Sequence, residues 1–257
     1  MPAEITYEES DGVGVATIQR PEARNALTFT TYAELEAVVR GTTARCLVIT
    51  GADPAFCSGD DVKQIMSRAG DQVSARLAAD PRLTSLADAL LYTDVPVIAA
   101  VNGAAVGWGM ELAILADIRV ASERAKFGEL FVKRGLCTDV AGIGRLAGLV
   151  GRERAADLLF TGRIVDTDQA AAMGLVSRVV PHAELMPTAL RLATEIAGNP
   201  PLAVQKLKQG LRLALDPDWH HLGEWVGRSL AELFRTEDHR EGVAAFLEKR
   251  PPAYRGR

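Results

Sequence analysis

The chain has 257 residues, 48% hydrophobic and 24% charged, with 29 basic residues against 33 acidic ones. Such a chain is long enough to bury a core without staples, and its net charge of −4 offers no electrostatic basis for binding nucleic acid or a membrane surface. Cys46, Cys57 and Cys137 are odd in number and scattered, which speaks against a disulfide framework and for a reducing compartment.

The opening MPAEITYEES is polar and acidic, unlike a secretion signal. The longest uncharged run, Val95 to Met110, is broken by Pro96, Asn102 and glycines, so no membrane span and a cytoplasmic location are expected. EITYEES, an Asp11-Gly12 turn and VGVATIQR predict a hairpin. A helix is expected from Thr28, with Ala33, Leu35, Val38 and Val39 on its apolar side. RCLVIT (45–50), VPVIAAV (95–101) and DIRVAS (117–122) read as buried strands, GADPAFCSGDD as loop, and a short helix is expected from Trp108. Further on, GRERAADLLFTG and DTDQAAAMG predict helices that end at glycine, and LVSRVV a short strand. AELMPTALRLATEIAGN, PPLAVQKLKQGLRLAL and DHREGVAAFLEKR predict the closing helices. Strand and helix signals alternate first and helices take over at the end, which describes an α/β core with a helical C-terminal appendage.

Two stretches carry the candidate chemistry. FCSGDDV (56–62) and GAAVGWGME (103–111) both place small residues where a strand gives way to a helix, so backbone N–H groups there can point outward. A pair of such loops suggests two donors converging on one oxygen, the arrangement that polarises a carbonyl. A dinucleotide site is the competing explanation. Gly103, Gly107 and Gly109 run G-x-x-x-G-x-G, however, and Gly142, Gly144 and Gly148 also miss the fingerprint. Glu111 is the only carboxylate in an apolar run, and burial there demands a partner or a shifted pKa. A structural carboxylate, held by its own helix terminus or an arginine, and an acid/base are both open for it. Asp139 reads equally as a turn or N-cap residue, and Trp108 as packing. His182, His220, His221 and His239 form no constellation, and no metal site is expected.

At these residues the chain resembles the crotonase (enoyl-CoA hydratase/isomerase) superfamily over nearly its whole length. The likeness runs through QRPEARNALT, GADPAFCSGDDV, VPVIAAVNGAAVGWGMELAILADIRVAS, AKFGELFVKRGLCTDVAG, LFTGRIVDTDQAAAMGLVSRVV and AAFLEKRPPAYRGR. The resemblance implies an α/β fold, a spiral of ββα units, over residues 1–195, and a C-terminal helical region, 196–257, used in forming a homotrimer or a hexamer of two trimers. It implies an acyl-coenzyme A substrate and no separate cofactor. The backbone N–H groups of Asp60 and Trp108 match the oxyanion donors. Arg24, Ala26, Ser58 and Asp61 match coenzyme A contacts, with Lys249 near the nucleotide phosphates and Phe246 reaching a neighbouring subunit's site. Residues 63–93 are expected to line or cover the acyl pocket.

Glu111 falls on the first catalytic glutamate of the hydratases, and Phe131 on the second. Glu129, two residues earlier, would share a strand face with Phe131, but the resemblance gives it no catalytic role. Asp139 stands where dienoyl-CoA and ring-epoxide isomerases carry an aspartate, and where aryl-CoA dehalogenases carry a nucleophile. Glu111 and Asp139 are therefore the expected acid/base pair, better suited to moving a double bond than to hydration. An acyl-CoA binding protein without chemistry, and hydrolysis or dehalogenation through Asp139, are the alternatives.

Overall fold

The computed structural model describes residues 3–67 and 70–257, so the first two residues of the expected core and residues 68 and 69 of the expected pocket segment lie outside the described residues. Ile5–Ser10 (β1) and Val13–Ile18 (β2) form the expected hairpin. Asp11 and Gly12, at φ 53° and 77°, supply the two left-handed residues that a tight hairpin turn needs. Phe29–Gly41 (α1) starts at Thr28, whose hydroxyl accepts from Thr31 N–H in a capping box. Leu35 and Val39 face the core as expected.

From there the chain repeats one unit: a strand in a large sheet, a short strand in a second sheet, then helix. Cys46–Gly51 (β3) and Ala55–Cys57 (β4) precede Gly70–Ala79 (α2) and Ser85–Tyr92 (α3). Val97–Val101 (β5) and Ala104–Val106 (β6) precede Trp108–Leu115 (α4). Ile118–Ser122 (β7) and Lys126–Gly128 (β8) precede Val140–Gly144 (α5), Leu146–Val150 (α6) and Arg152–Thr161 (α7). Val165–Asp166 (β9), Thr167–Ala172 (α8) and Arg178–Val180 (β10) complete the sheets. The six-stranded sheet runs β1-β2-β3-β5-β7-β10 and is parallel beyond the hairpin; the four-stranded sheet runs β4-β6-β8-β9. This is the expected ββα spiral. Every residue of β3 and β5 is buried, as continuous apolar runs are in parallel sheets covered on both faces. The short strands of the second sheet escape a reading by periodicity because they span only two or three residues, and GADPAFCSGDD contains β4 rather than loop alone.

Leu185–Ala197 (α9), Pro201–Leu215 (α10), Trp219–Leu233 (α11) and Glu237–Glu248 (α12) form the helical end. α11, absent from the sequence reading, returns onto the core: Gly223 and Gly227 lie so close to Leu83 and Pro81 that a Cβ at either would stand 2.9 Å from those residues.

The loops after β4 and β6 meet backbone to backbone. A Cβ on Gly59 (φ 88°) would lie 2.9 Å from Val106 O and 3.2 Å from the Trp108 nitrogen, and one on Gly109 would stand 2.0 Å from Cys57 O. Gly109→Ala is therefore expected to destabilise the fold by about 3 kcal/mol, the upper end for overpacking, because backbone rather than a side chain must yield. Urea unfolding of the two proteins measures the difference.

Candidate active site

Leu27 forms an isolated parallel bridge with Asp60, through Leu27 N–H to Gly59 O and Asp61 N–H to Leu27 O, both 2.8 Å. These two bonds flank Asp60 and leave its own N–H outside the bridge. Trp108 is the first residue of α4, where a helix offers no acceptor for the N–H. The two amides singled out in the sequence thus sit on loops in mutual contact.

Arg24, Ala26, Ser58 and Asp61 gather around the same bridge. Ser58 N–H donates to Arg24 O at 3.1 Å, and Arg20 binds both Asp61 Oδ2 at 3.3 Å and Ala26 O. Asn25, passed over in the sequence, anchors this segment. It is fully buried at φ 57°, and its Nδ2 donates to Ala52 O and Ala55 O, both at 2.7 Å. Phe246 and Lys249 lie elsewhere, on α12 and at its C-cap. The Phe246 ring is half exposed beneath the Arg134 guanidinium, 4.4 Å away, and Lys249 adopts φ 55°.

A cavity of about 280 Å³ opens beside the two loops, walled by Tyr32, Asp60, Trp108, Phe131, Asp139 and Phe234 among others. The segment 63–93 contributes Ile65, Val73, Leu77 and Leu86 to it, and α11 contributes Leu230. Asp139 is the N-cap of α5: its Oδ1 accepts from Val140 N–H at 2.7 Å, and its Oδ2 from Trp108 Nε1–H at 2.9 Å. Trp108 thus does more than pack. Its ring meets Tyr32 edge to face at 5.0 Å, and the Tyr32 hydroxyl donates to Asp60 Oδ1 at 2.7 Å. Burial raises the pKa of Asp139, and it pushes Asp60 up to about 6.

Glu111 is fully buried and is not part of this wall. Its partner is neither its own helix terminus nor an arginine but the first turn of α5. Oε2 accepts from Ala141 N–H at 2.8 Å, and both oxygens accept from Gly142 N–H, at 3.1 and 3.2 Å. Thr138 Oγ1 also donates to Oε1. Burial and the nearby Asp139 charge outweigh these donors and push Glu111 up to about 8.

Glu129 does not share a strand face with Phe131, because β8 ends at Gly128 and Phe131 opens a 3₁₀ turn over Phe131–Arg134. Phe131 turns to the cavity, whereas Glu129 is buried with Oε2 3.0 Å from Thr138 Oγ1. The position of Glu129 beside Glu111 depends on a turn whose geometry leaves no periodic signal. Among the described residues there is no cluster suited to a metal ion, and no helix is long and apolar enough to cross a membrane.

The family described as enoyl-CoA hydratase/isomerase matches residues 8–257. A 2,3-dehydroadipyl-CoA hydratase of Escherichia coli is 36% identical over 99% of this chain and 100% of its own length. A short-chain-enoyl-CoA hydratase of Clostridium acetobutylicum is 34% identical over 96% and 95%. Among solved structures, an enoyl-CoA hydratase/isomerase from Pseudoalteromonas atlantica superposes with a TM-score of 0.87 at 28% identity, covering 98% of this chain and 100% of that one. A monofunctional enoyl CoA isomerase from Mycobacterium smegmatis superposes at 0.68 and 28%, covering 86% of this chain and 98% of that one. The chain belongs to the enoyl-CoA hydratase/isomerase family of the crotonase superfamily, and is an enzyme of that family acting on coenzyme A thioesters.

The buried carboxyl of Glu111 links stability to pH. It ionises at 4.5 under ordinary conditions and at about 8 in the folded protein. The folded state therefore holds a proton that the unfolded chain has lost, and stability falls as pH rises from about 4.5 to about 8. Glu111→Gln removes that contribution, a slope of up to about 1.4 kcal/mol per pH unit. Urea titrations across this range are expected to give a flatter stability profile for the variant.

Proposed function

We propose that the enzyme moves the double bond of an enoyl-CoA, with Asp139 as the group that carries the proton. The observation behind this reading is a carboxylate, Asp139, and a phenyl ring, Phe131, on the wall of one cavity beside the amides of Asp60 and Trp108. The two N–H groups donate to the thioester oxygen. Loss of a proton from the carbon chain then yields an enolate whose charge rests on that oxygen, in a site where each donor contributes about 10²–10³ in rate. Asp139 takes the proton from one carbon and returns it to another, so the double bond shifts and nothing else is consumed. Its raised pKa brings the carboxyl closer to that of a group able both to accept and to release a proton near neutrality.

Hydration uses two carboxylates to orient and split one water. Phe131 stands at one of the two expected positions, and the other carboxyls on the wall are engaged, Asp60 by the Tyr32 hydroxyl and Glu36 by Arg40 at 2.8 Å. Glu111, the other expected acid/base residue, is set back with its oxygens on α5. In this reading it acts on the reaction through the placement of Asp139. An unsaturated acyl-CoA substrate is supported by the relatives named for 2,3-dehydroadipyl-CoA and short-chain enoyl-CoA hydration. In the same reading Arg24, Ala26, Ser58 and Asp61 form the mouth that receives coenzyme A, with Lys249 near the nucleotide phosphates and Phe246 toward a neighbouring subunit's site.

The test is a panel of 2-enoyl-, 3-enoyl- and dienoyl-CoA thioesters, followed separately for water addition and for double-bond migration. Migration is expected to dominate, and Asp139→Asn to lose roughly 10²–10⁴ of it while still binding thioester by calorimetry. Wild-type rates should fall as pH drops through the raised pKa of Asp139, because the ionised form accepts the first proton. Undiminished turnover by the variant would refute the assignment. Binding without any turnover would favour the binding-protein alternative, and a covalent aspartyl adduct in the mass spectrum the nucleophilic one.

We infer further that α10 joins subunits in a trimer or a dimer of trimers. Lys208 Nζ fixes one side of this helix to Asp117 Oδ2 at 2.7 Å, while Leu207 and Leu211 on another side are 69% and 61% exposed. Exposed leucines at helical spacing are expected to be covered by a partner. The double variant Leu207→Glu/Leu211→Glu should sediment as a smaller species than the wild type.

A further inference from the structure

The hydrogen bonds around Thr138 do not balance if both neighbouring glutamates are ionised. A threonine hydroxyl has one proton to donate. Two carboxyl oxygens contact it: Glu111 Oε1, and Glu129 Oε2 at 3.0 Å. Glu111 already accepts amide N–H groups on both oxygens, from Ala141 and Gly142. That crowd of donors suits an ionised carboxylate, so the Thr138 proton belongs on Glu111. Glu129 Oε2 then faces only the lone pairs of Thr138. Its other oxygen, Oε1, is buried and has no hydrogen-bond partner among the described residues. The charges acting on Glu129 are those of Glu111 on α4 and Asp139 at the head of α5, both acidic; of the charged groups lining the cavity it borders, Glu232 and Asp238 are acidic and Arg257 is paired with Glu237 at 2.9 Å. Among the described residues, no basic side chain forms an ion pair with Glu129, Glu111 or Asp139. A second ionised carboxylate in that position would be buried, repelled and without a donor, at a cost no contact offsets.

We propose that Glu129 is a positioning residue that keeps its proton while Glu111 ionises, donating through Oε2–H to Thr138 Oγ1 and so turning the threonine hydroxyl toward Glu111. The order is Glu129 O–H to Thr138 O–H to Glu111 carboxylate, a chain in which every proton has one acceptor. Burial and the Glu111 charge both act to hold Glu129 well above the usual carboxylate range, in keeping with this order. Glu129 borders a neighbouring cavity of about 740 Å³, which shares the Phe131 and Leu136 walls with the one that Asp60 and Asp139 line, and does not itself line the latter. Its action on the active site therefore runs through Thr138 and Glu111. The proposal does not depend on whether the enzyme isomerises or hydrates.

The experiment is an NMR titration of the glutamate δ-carbons in ¹³C-labelled protein, with Glu111→Gln and Glu129→Gln used to assign the two signals. Glu129 is expected to keep the chemical shift of a protonated carboxyl through the range in which Glu111 titrates. Glu129→Gln keeps a neutral donor, so the Glu111 midpoint should stay within a few tenths of a pH unit. Glu129→Leu removes the donor and frees Thr138, and the midpoint should move alkaline by about one pH unit, as for loss of one charge-assisted hydrogen bond. Thr138→Val should produce the same alkaline movement and leave Glu129→Leu without further effect, which keeps the test available should Glu129→Leu not fold. An ionised Glu129 signal near neutrality would overturn the proposal. So would an acidic movement of Glu111 in Glu129→Gln, the response expected if a negative charge had been removed.

Discussion

The carboxyl of Glu111 holds the first amides of α5, and the candidate active site takes its shape from that attachment. α5 covers only Val140–Gly144, too short to persist through its own hydrogen bonds. Its N-terminal N–H groups are divided between two acids: Asp139 takes that of Val140, and Glu111 those of Ala141 and Gly142. Since α4 is buried along its whole length, the position of Glu111 is set by core packing, and α5 is set by Glu111. Gly142 is part of the same constraint, because a Cβ there would come within 2.8 Å of Glu111 Oε1 and 2.4 Å of Thr138 Oγ1. The direction in which Asp139 faces the cavity is therefore inherited from a residue that does not itself reach the cavity wall.

The two aspartates on the wall, Asp60 and Asp139, are held by neutral donors and form no ion pair among the described residues. Asp139 is held by an indole N–H and a backbone N–H, Asp60 by a phenol, and Tyr32 packs edge to face on Trp108 to tie the two together. Neutral donors of this kind orient a carboxyl without lowering its proton affinity as far as an arginine would. With burial acting the other way, the outcome is a set of carboxyls shifted toward neutral pH. A structural ion pair would stabilise the fold at the same place but would leave no group able to exchange a proton. α11, whose glycines let it settle against Leu83 and Pro81, contributes Leu230 to the cavity wall, so the helical end of the chain forms part of the site as well as a surface.

Several features were legible before any coordinates. The hairpin turn at Asp11-Gly12, the fully apolar strands β3 and β5, the helix opening at Trp108 and the loops at FCSGDDV and GAAVGWGME follow from local chemistry: left-handed residues at a turn, burial on both faces, and small residues where a strand becomes a helix. The odd carboxylate in an apolar helix also announced itself, since charge among Met110, Leu112, Ala113 and Ile114 has no local justification. Other features carried no such mark. β4, β6, β8 and β9 are too short to show alternation, α11 is punctuated by glycines that lower its helical signal, and Asn25 is a single polar residue whose two 2.7 Å bonds are made to a loop far along the chain.

The sequence by itself determined the fold class, the family motifs and the identities of the acids, because these rest on residue type and near-neighbour spacing. Only the tertiary structure decided what each acid faces. Glu111 binds the amides of α5, Asp139 reaches the cavity, Asp60 accepts from Tyr32, and Glu129 joins Glu111 through Thr138. The physical reason is that burial, repulsion and hydrogen bonding act over a few ångströms in space between residues from 9 to 31 positions apart in the chain. No periodicity along the chain records which of them will meet.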